Sequence, residues 1–264
     1  MRIAWATDLH LNHASPEKLD SFRQSLIAAE ADALLVSGDF AESLQVFASL
    51  EWLVDCVRAP IYFCLGNQDF YFDSVVRMRA SCQAFCQSQD SLTYLTDAPP
   101  IELAPGIGLI GHDGWADGRS HDYETSLVNM HDSRLIEEFV GLSKFDRWTV
   151  MKRLSDESCD WLNEQLPLAL ERWPTVFLVT HVPPLRQACW YEGGISDRHW
   201  APHFVNRAFG ETLIRLMRRF PNRQVKVLCG HTHGEGYTMP LPNVGIFTGR
   251  AEYGSPCIAK TFEV

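Results

Sequence analysis

Seven side chains that bind metal ions well follow short apolar runs in this sequence. Asp8 and His10 come at the end of residues 3–7, Gly38-Asp39 after residues 33–36, and Gly66-Asn67 after residues 61–65. His181 follows residues 176–179, and Gly230-His231-Thr232-His233 follows residues 225–229. Together these are two carboxylates, one amide and four imidazoles. Carboxylate and amide oxygens suit Mn and Mg, and imidazole suits Fe, Zn and Ni. Seven donors are too many for one tetrahedral zinc and suit two adjacent ions bridged by a shared carboxylate and a hydroxide. The Asp-x-His and His-x-His spacings place both side chains of a pair on one side of an extended chain. The glycines let the backbone turn sharply beside such a site. Each piece alone has an ordinary explanation: Asp39 could cap a helix, and the His231–His233 pair could belong to a hairpin. The argument rests on all of them together.

The elements that must position these groups repeat a strand–helix unit. Residues 3–7, 33–36 and 61–65 read as strands. Ser15-Pro16-Glu17 reads as an N-cap with proline in the first helical turn, and Leu19, Phe22 and Leu26 give that helix its apolar stripe. Helices are expected over 42–57 and 73–87. This alternation predicts an α/β fold with a largely parallel sheet. Ligands of such sheets bind outside the carboxyl ends of the strands, so the seven groups should meet on one rim. Farther on, residues 101–110 read as a hairpin, 111–122 and 183–203 as loops, and 125–140, 147–172 and 204–220 as helices. No repeat or linker interrupts the chain. It reads as one domain over 1–264, with a helical and loop insertion around 112–172.

The ordered blocks Asp8-x-His10, Gly38-Asp39-x-x-Glu42, Gly66-Asn67-x-Asp69, His181 and Gly230-His231-x-His233 resemble those of the calcineurin-like metallophosphoesterases. The resemblance implies a four-layer α/β/β/α sandwich of two mixed sheets flanked by helices. It implies one metal ion held by Asp8, His10, Asp39 and His233, and a second held by Asp39, Asn67, His181 and His231, with Asp39 bridging. The activity it implies is hydrolysis of a phosphodiester, phosphomonoester or pyrophosphate by in-line attack of a metal-bridging hydroxide. Asn67 would help neutralise the phosphoryl oxygens, and Asp39, Gln68 and Asp69 complete the expected catalytic group. Gln68 departs from the family pattern, which usually has a histidine there to help the leaving group depart. An amide cannot deliver a proton at neutral pH. Either the leaving group needs no acid, or another histidine (His112, His131 or His199) supplies the proton.

Composition narrows the classes. The net charge of −10 disfavours broad nucleic-acid binding, so a nuclease of the same fold is the weaker reading. A non-catalytic scaffold is a further alternative, favoured by Gln68 and opposed by the intact ligand set. No apolar run is long enough to span a membrane. The first residues lack the features of a secretory leader, so a cytoplasmic protein with its eight cysteines reduced is expected. The expected partner is a small phosphate ester. His112, Arg186 and Arg250 are the candidate substrate contacts, guanidinium groups being good phosphate partners. His13, His121 and His203 are expected to be solvated. Trp190, Tyr191 and Trp200 either stack on a substrate ring or pack on their own domain.

Overall fold

The computed structural model describes residues 1–42 and 45–264. Its first half follows the strand–helix alternation: β1 (Arg2–Ala6), α1 (Pro16–Ala28), β2 (Ala33–Ser37), α2 (Gln45–Cys56), β3 (Ile61–Cys64), α3 (Val75–Cys86) and β4 (Leu92–Tyr94). The Ser15 side chain accepts from Lys18 N and caps α1, with Pro16 in the first turn. The helix expected over 42–57 includes Ser43 and Leu44, which lie outside the described residues.

Next come β5 (Ile101–Ala104), β6 (Ile107–His112), α4 (Asp132–Leu135), α5 (Lys144–Arg172) and β7 (Thr175–Thr180). A two-stranded ribbon of β8 (Trp190–Tyr191) and β9 (Gly194–Ile195) follows. The chain ends with α6 (Ala201–Phe204), α7 (Arg207–Met217), β10 (Gln224–Cys229), β11 (Gly236–Leu241), β12 (Val244–Thr248) and β13 (Lys260–Glu263).

Strand alternation alone points to one largely parallel sheet, but the chain builds two large ones. The first runs β13-β1-β2-β3-β4 and the second β11-β12-β10-β7-β6-β5. Each has a parallel centre; the antiparallel edges are β13 on β1 in the first and β11 on β12 and β5 on β6 in the second, while edge β4 lies parallel to β3. The period-two alternation of strand side chains divides the apolar residues among three cores. Ala4, Leu34, Val36 and Phe63 face Phe22, Leu50 and Met78 of α1, α2 and α3. Val176, Leu178 and Val227 face Leu162, Leu166 and Leu213 of α5 and α7. Ile3, Trp5, Leu35, Leu109, Phe177 and Leu228 fill the space between the sheets. The result is the expected four-layer arrangement of helices, two sheets and helices.

The helix expected over 125–140 forms only as the four residues of α4. Upstream of it, Lys144 Nζ donates to the carbonyls of Glu124 and Ser126, which a helix would have bonded to its own amides. The remaining expectations hold to within a few residues at each end. The cysteines are all free thiols; among the described residues only Cys257 is exposed. No helix among the described residues is long and apolar enough to cross a membrane.

Candidate metal centre

The carboxyl ends of β1, β2, β3, β7 and β10 bring the seven donors to one rim. Each chain turns abruptly as it leaves its strand. Asp8, His10, Asp39, His231 and His233 all have positive φ, between 42° and 69°, a conformation unusual for residues other than glycine. Backbone strain of this kind persists only where the surroundings enforce it, and it clusters at functional sites. Two glycines make the close approach possible. A Cβ on Gly66 would collide with the Asp39 carboxylate, and one on Gly230 would strike Asp8 and Thr7.

The donor atoms converge. His10 Nε2 lies 3.2 Å from His233 Nε2 and 3.9 Å from Asp39 Oδ2. His233 Nε2 is 3.4 Å from Asp8 Oδ1. His181 Nε2 is 3.5 Å from Asp39 Oδ2 and 3.1 Å from Asn67 Oδ1. Ligand atoms about 2.0–2.2 Å from a common ion are spaced in this way. Asp8, His10 and His233 form one trio of potential ligands, and Asp8, Asp39 and His181 a second. Asp8 is common to both trios, while Asp39 Oδ2 lies between His10 and His181. His231 adjoins the second trio, its ring centroid 5.0 Å from that of His181.

The surroundings prepare the imidazoles as ligands. His181 Nδ1 is 2.8 Å from Ser37 O; donating there leaves Nε2 with its lone pair toward the cluster. His231 Nε2 is 3.1 Å from His203 O, which likewise frees Nδ1. Burial pushes His10 down to about 3 and, with the nearby His181, His231 down to about 3. Both rings are therefore neutral, the form that binds metal. Burial opposes ionisation of Asp8, but its bond to His233 and the surrounding histidines hold it below the usual carboxylate range. Burial and the charge of Asp8 push Asp39 up. Two buried carboxylates beside neutral imidazoles fit divalent cations, which relieve that repulsion.

Asp8, Asp39 and Asn67 are also braced from behind. Asp8 accepts from Thr7 Oγ1 and from His231 N. Asp39 Oδ1 accepts from Gln68 N at 2.8 Å. Asn67 Nδ2 donates to Asp132 Oδ1 at 2.9 Å, an oxygen that also accepts from Tyr71 OH. The amide is thereby turned so that Asn67 Oδ1 faces His181. Asp132 was not among the residues the sequence singled out. It sits in an irregular segment far along the chain, with no local signal of this role.

Several expected site residues lie elsewhere. Asp69 is fully buried and accepts from the backbone N–H groups of Asp39, Phe40, Ala41 and Gly66. It clamps two turns together behind Asp39 and does not face the reacting side. His112 is buried too; its Nδ1 accepts from Gly114 N and its ring lies 5.2 Å from Trp161. Asp113 beside it joins the sheets by accepting from Leu65 N, Tyr94 OH, Thr96 Oγ1 and Arg79 Nε. Arg186 lines a surface cleft with Arg119, His121 and Arg207, and Arg250 is exposed. Gln68 Nε2 donates to Tyr253 OH, and the Tyr253 ring stacks on His10 at 4.3 Å. Tyr191, Trp200 and Phe204 stack on one another, and Phe204 on His231, so these loop aromatics pack on the protein itself.

A cavity of about 260 Å³ opens beside the cluster. Asn67, His181 and His231 line it on the metal side, and Trp115, Tyr123, Phe139, Met151, Lys144 and Arg147 line it elsewhere. His203, expected to be solvated, is buried in its wall with Nε2 3.1 Å from Ser126 Oγ.

Comparison with known proteins agrees with this geometry. The family model described as calcineurin-like phosphoesterase matches residues 1–235. Phosphopantetheinyl hydrolase from Mycobacterium tuberculosis is similar in structure, with a TM-score of 0.66 at 16% identity, covering 96% of this chain and 89% of that one. A dimetal phosphatase from Danio rerio has a TM-score of 0.58 at 15% identity, covering 95% and 87%. At these identities the likeness concerns the fold alone. Among curated proteins no sequence relative is found.

Proposed function

Because the chain belongs to the calcineurin-like phosphoesterase family, we propose that its rim hydrolyses a phosphate ester with two divalent metal ions, drawn from Mn, Fe, Zn and Mg. The bond is a phosphodiester, a phosphomonoester or a pyrophosphate. The observation that carries this reading is the convergence of Asp8, His10, Asp39, Asn67, His181 and His233 at ligand–ligand separations, with His231 adjoining, from five strand ends. Bound metal ions supply an activated water for in-line attack and neutralise charge on the phosphoryl oxygens.

The protein's own residues do the rest. Asp8 and Asp39 provide the negative charge that retains the cations. The backbone N–H of Gln68 fixes one oxygen of Asp39 and leaves the other toward His10 and His181. Asp132 and Tyr71 hold the Asn67 amide in register. Gln68 and Tyr253 flank the cluster beside His10 and offer no ready acid to a leaving group. The Gln68 amide cannot donate a proton to a departing alkoxide, and burial raises the Tyr253 phenol above its ordinary value, so it too is a weak acid. This favours esters whose leaving group departs unprotonated.

The test is hydrolysis by metal-stripped protein with Mn, Fe, Zn or Mg restored. The panel is an aryl diester, an aryl monoester, a cyclic nucleotide and a nucleoside diphosphate sugar. Metal-dependent turnover is expected, and the preferred member identifies the bond. Two ions bound per chain with no turnover of any member would support the scaffold reading that Gln68 favours.

A further inference from the structure

The cavity beside the rim belongs in part to the metal cluster and in part to residues 114–151, of which the hydrolytic reading uses only Asp132. Its size is informative. About 260 Å³ lies just below the usual range of small-molecule pockets, so it holds one small organic group and no polymer. Its walls are mostly apolar and held in place by stacking. Trp115 stacks on Phe139 at 5.6 Å, and Tyr123 on Trp148 at 5.4 Å. Such walls favour a ring or branched carbon body over a hydrated sugar or a bare phosphate.

The charged lining is two cations, Lys144 and Arg147, and one carboxylate, Asp132, which is taken up by Asn67 and Tyr71. Arg147 Nη1 donates to Asn129 Oδ1 at 2.9 Å, but Arg147 Nε is buried without a partner. Lys144 Nζ donates only to the carbonyls of Glu124 and Ser126. Among the described residues neither cation has a carboxylate within ion-pair distance. Arg147 lines the cavity without a carboxylate partner of its own among the described residues, and a planar guanidinium suits a carboxylate. This is notable in a chain of net charge −10.

We propose that this cavity holds the organic part of the substrate: a small alcohol or phenol with an apolar, ring-sized body and a carboxylate that meets Arg147. Its phosphate sits on the rim at Asn67, His181 and His231. The proposal rests on the phosphoesterase reading above and agrees with the absence of an acid at Gln68, since a phenol leaves without one.

The test measures binding of three phosphonates to the metal-loaded protein by calorimetry: methylphosphonate, benzylphosphonate and 4-carboxybenzylphosphonate. Benzylphosphonate should bind about 10-fold or more tighter than methylphosphonate, and the carboxylate should add a further several-fold. Arg147→Met should abolish the carboxylate increment and leave the benzyl preference. Met130→Trp or Val128→Trp, each filling the cavity from its lining, should abolish the benzyl preference and leave methylphosphonate binding intact. Equal affinity for methyl- and benzylphosphonate, or a benzyl preference that survives both filling variants, would overturn the cavity assignment while leaving the phosphoesterase reading standing. A carboxylate increment that survives Arg147→Met would overturn the role of Arg147. Absence of metal-dependent binding by all three, together with no turnover of the ester panel, would overturn both.

Discussion

The metal rim and the cavity wall meet at Asn67, His181 and His231 but are built in opposite ways. On the rim, backbone groups fix Asp8, Asp39, His181 and His231. Asp8 accepts from His231 N, Asp39 from Gln68 N, and Asp69 from four amides at once. Five of its ligand candidates adopt positive φ. In the wall over residues 115–147, side chains supplement the local backbone bonds: Lys144 bonds two carbonyls, and Ser126 Oγ bonds His199 O. Leu127 and Val140 stand out in solvent there. A strained, amide-braced rim cannot change without losing its chemistry, whereas a side-chain-braced wall can be re-cut to suit another substrate.

The sharpest way to break this contrast is Asp39→Asn. The substitution keeps the shape but removes charge from the atom lying between His10 and His181. Turnover should fall by well over 100-fold, beyond the 10–100-fold typical of an outer partner, and bound metal per chain should drop. Near-normal turnover with full metal content would remove Asp39 from the centre.

Asp69→Asn tests the bracing. The new NH₂ group would face two of the four amides that now donate to carboxylate oxygens, leaving buried donors opposed. A loss of about 2–5 kcal/mol is expected, seen as a melting temperature lower by roughly 5–15 °C. If stability is unchanged and only turnover falls, Asp69 belongs to the reacting groups after all.

Asp132→Asn probes the seam between the two regions. It leaves the Asn67 amide without its anionic acceptor, so metal affinity or turnover should fall about 10–100-fold while the fold persists. A matched defect in Asn67→Ala, with no additional loss in the double variant, would show that Asp132 acts through Asn67. Full additivity would show that it does not.

The same contrast explains what the sequence made legible. The rim could be read because each ligand lies within a few residues of a strand end, beside glycines that act locally. The period-two expectation for the Asp8/His10 and His231/His233 pairs did not hold, since all four lie past their strands with positive φ. The α/β class followed from strand–helix alternation. The division into two sheets did not, because the strands of both sheets are buried on two faces and read alike; that expectation came from the family resemblance. The wall was illegible for a related reason. Residues 125–140 carry apolar side chains that look helical, but the Ser126 carbonyl is taken by Lys144, a contact across the chain with no periodic trace. The sequence did not single out Asp132, Lys144 or Arg147, and His203, expected in solvent, is buried. The motif position of Asp69 says nothing of which way its carboxylate turns.

Gln68→His sharpens the reading at the rim's edge. The side chain now bonds the Tyr253 hydroxyl, and an imidazole there could protonate a departing alkoxide. Turnover of alkyl esters should rise several-fold relative to aryl esters, measured as the ratio of kcat/KM for the two. A fall on every substrate would mean that the Gln68–Tyr253 contact itself is required.

The smallest effect should come from the wall's outer surface. Val140 is 53% exposed, follows the last turn of the irregular segment and does not line the cavity. Val140→Ser removes little buried apolar area and strands no polar group, so stability should stay within about 0.5 kcal/mol and turnover should not move. Its value lies in the pairing with Asp69→Asn. Both residues belong to turns rather than to regular elements, and both variants are small. If the wall were braced by its backbone as the rim is, a surface substitution there would propagate, and the two melting temperatures would fall together. A wide separation between them is what bracing by amides on one side and by side chains on the other requires.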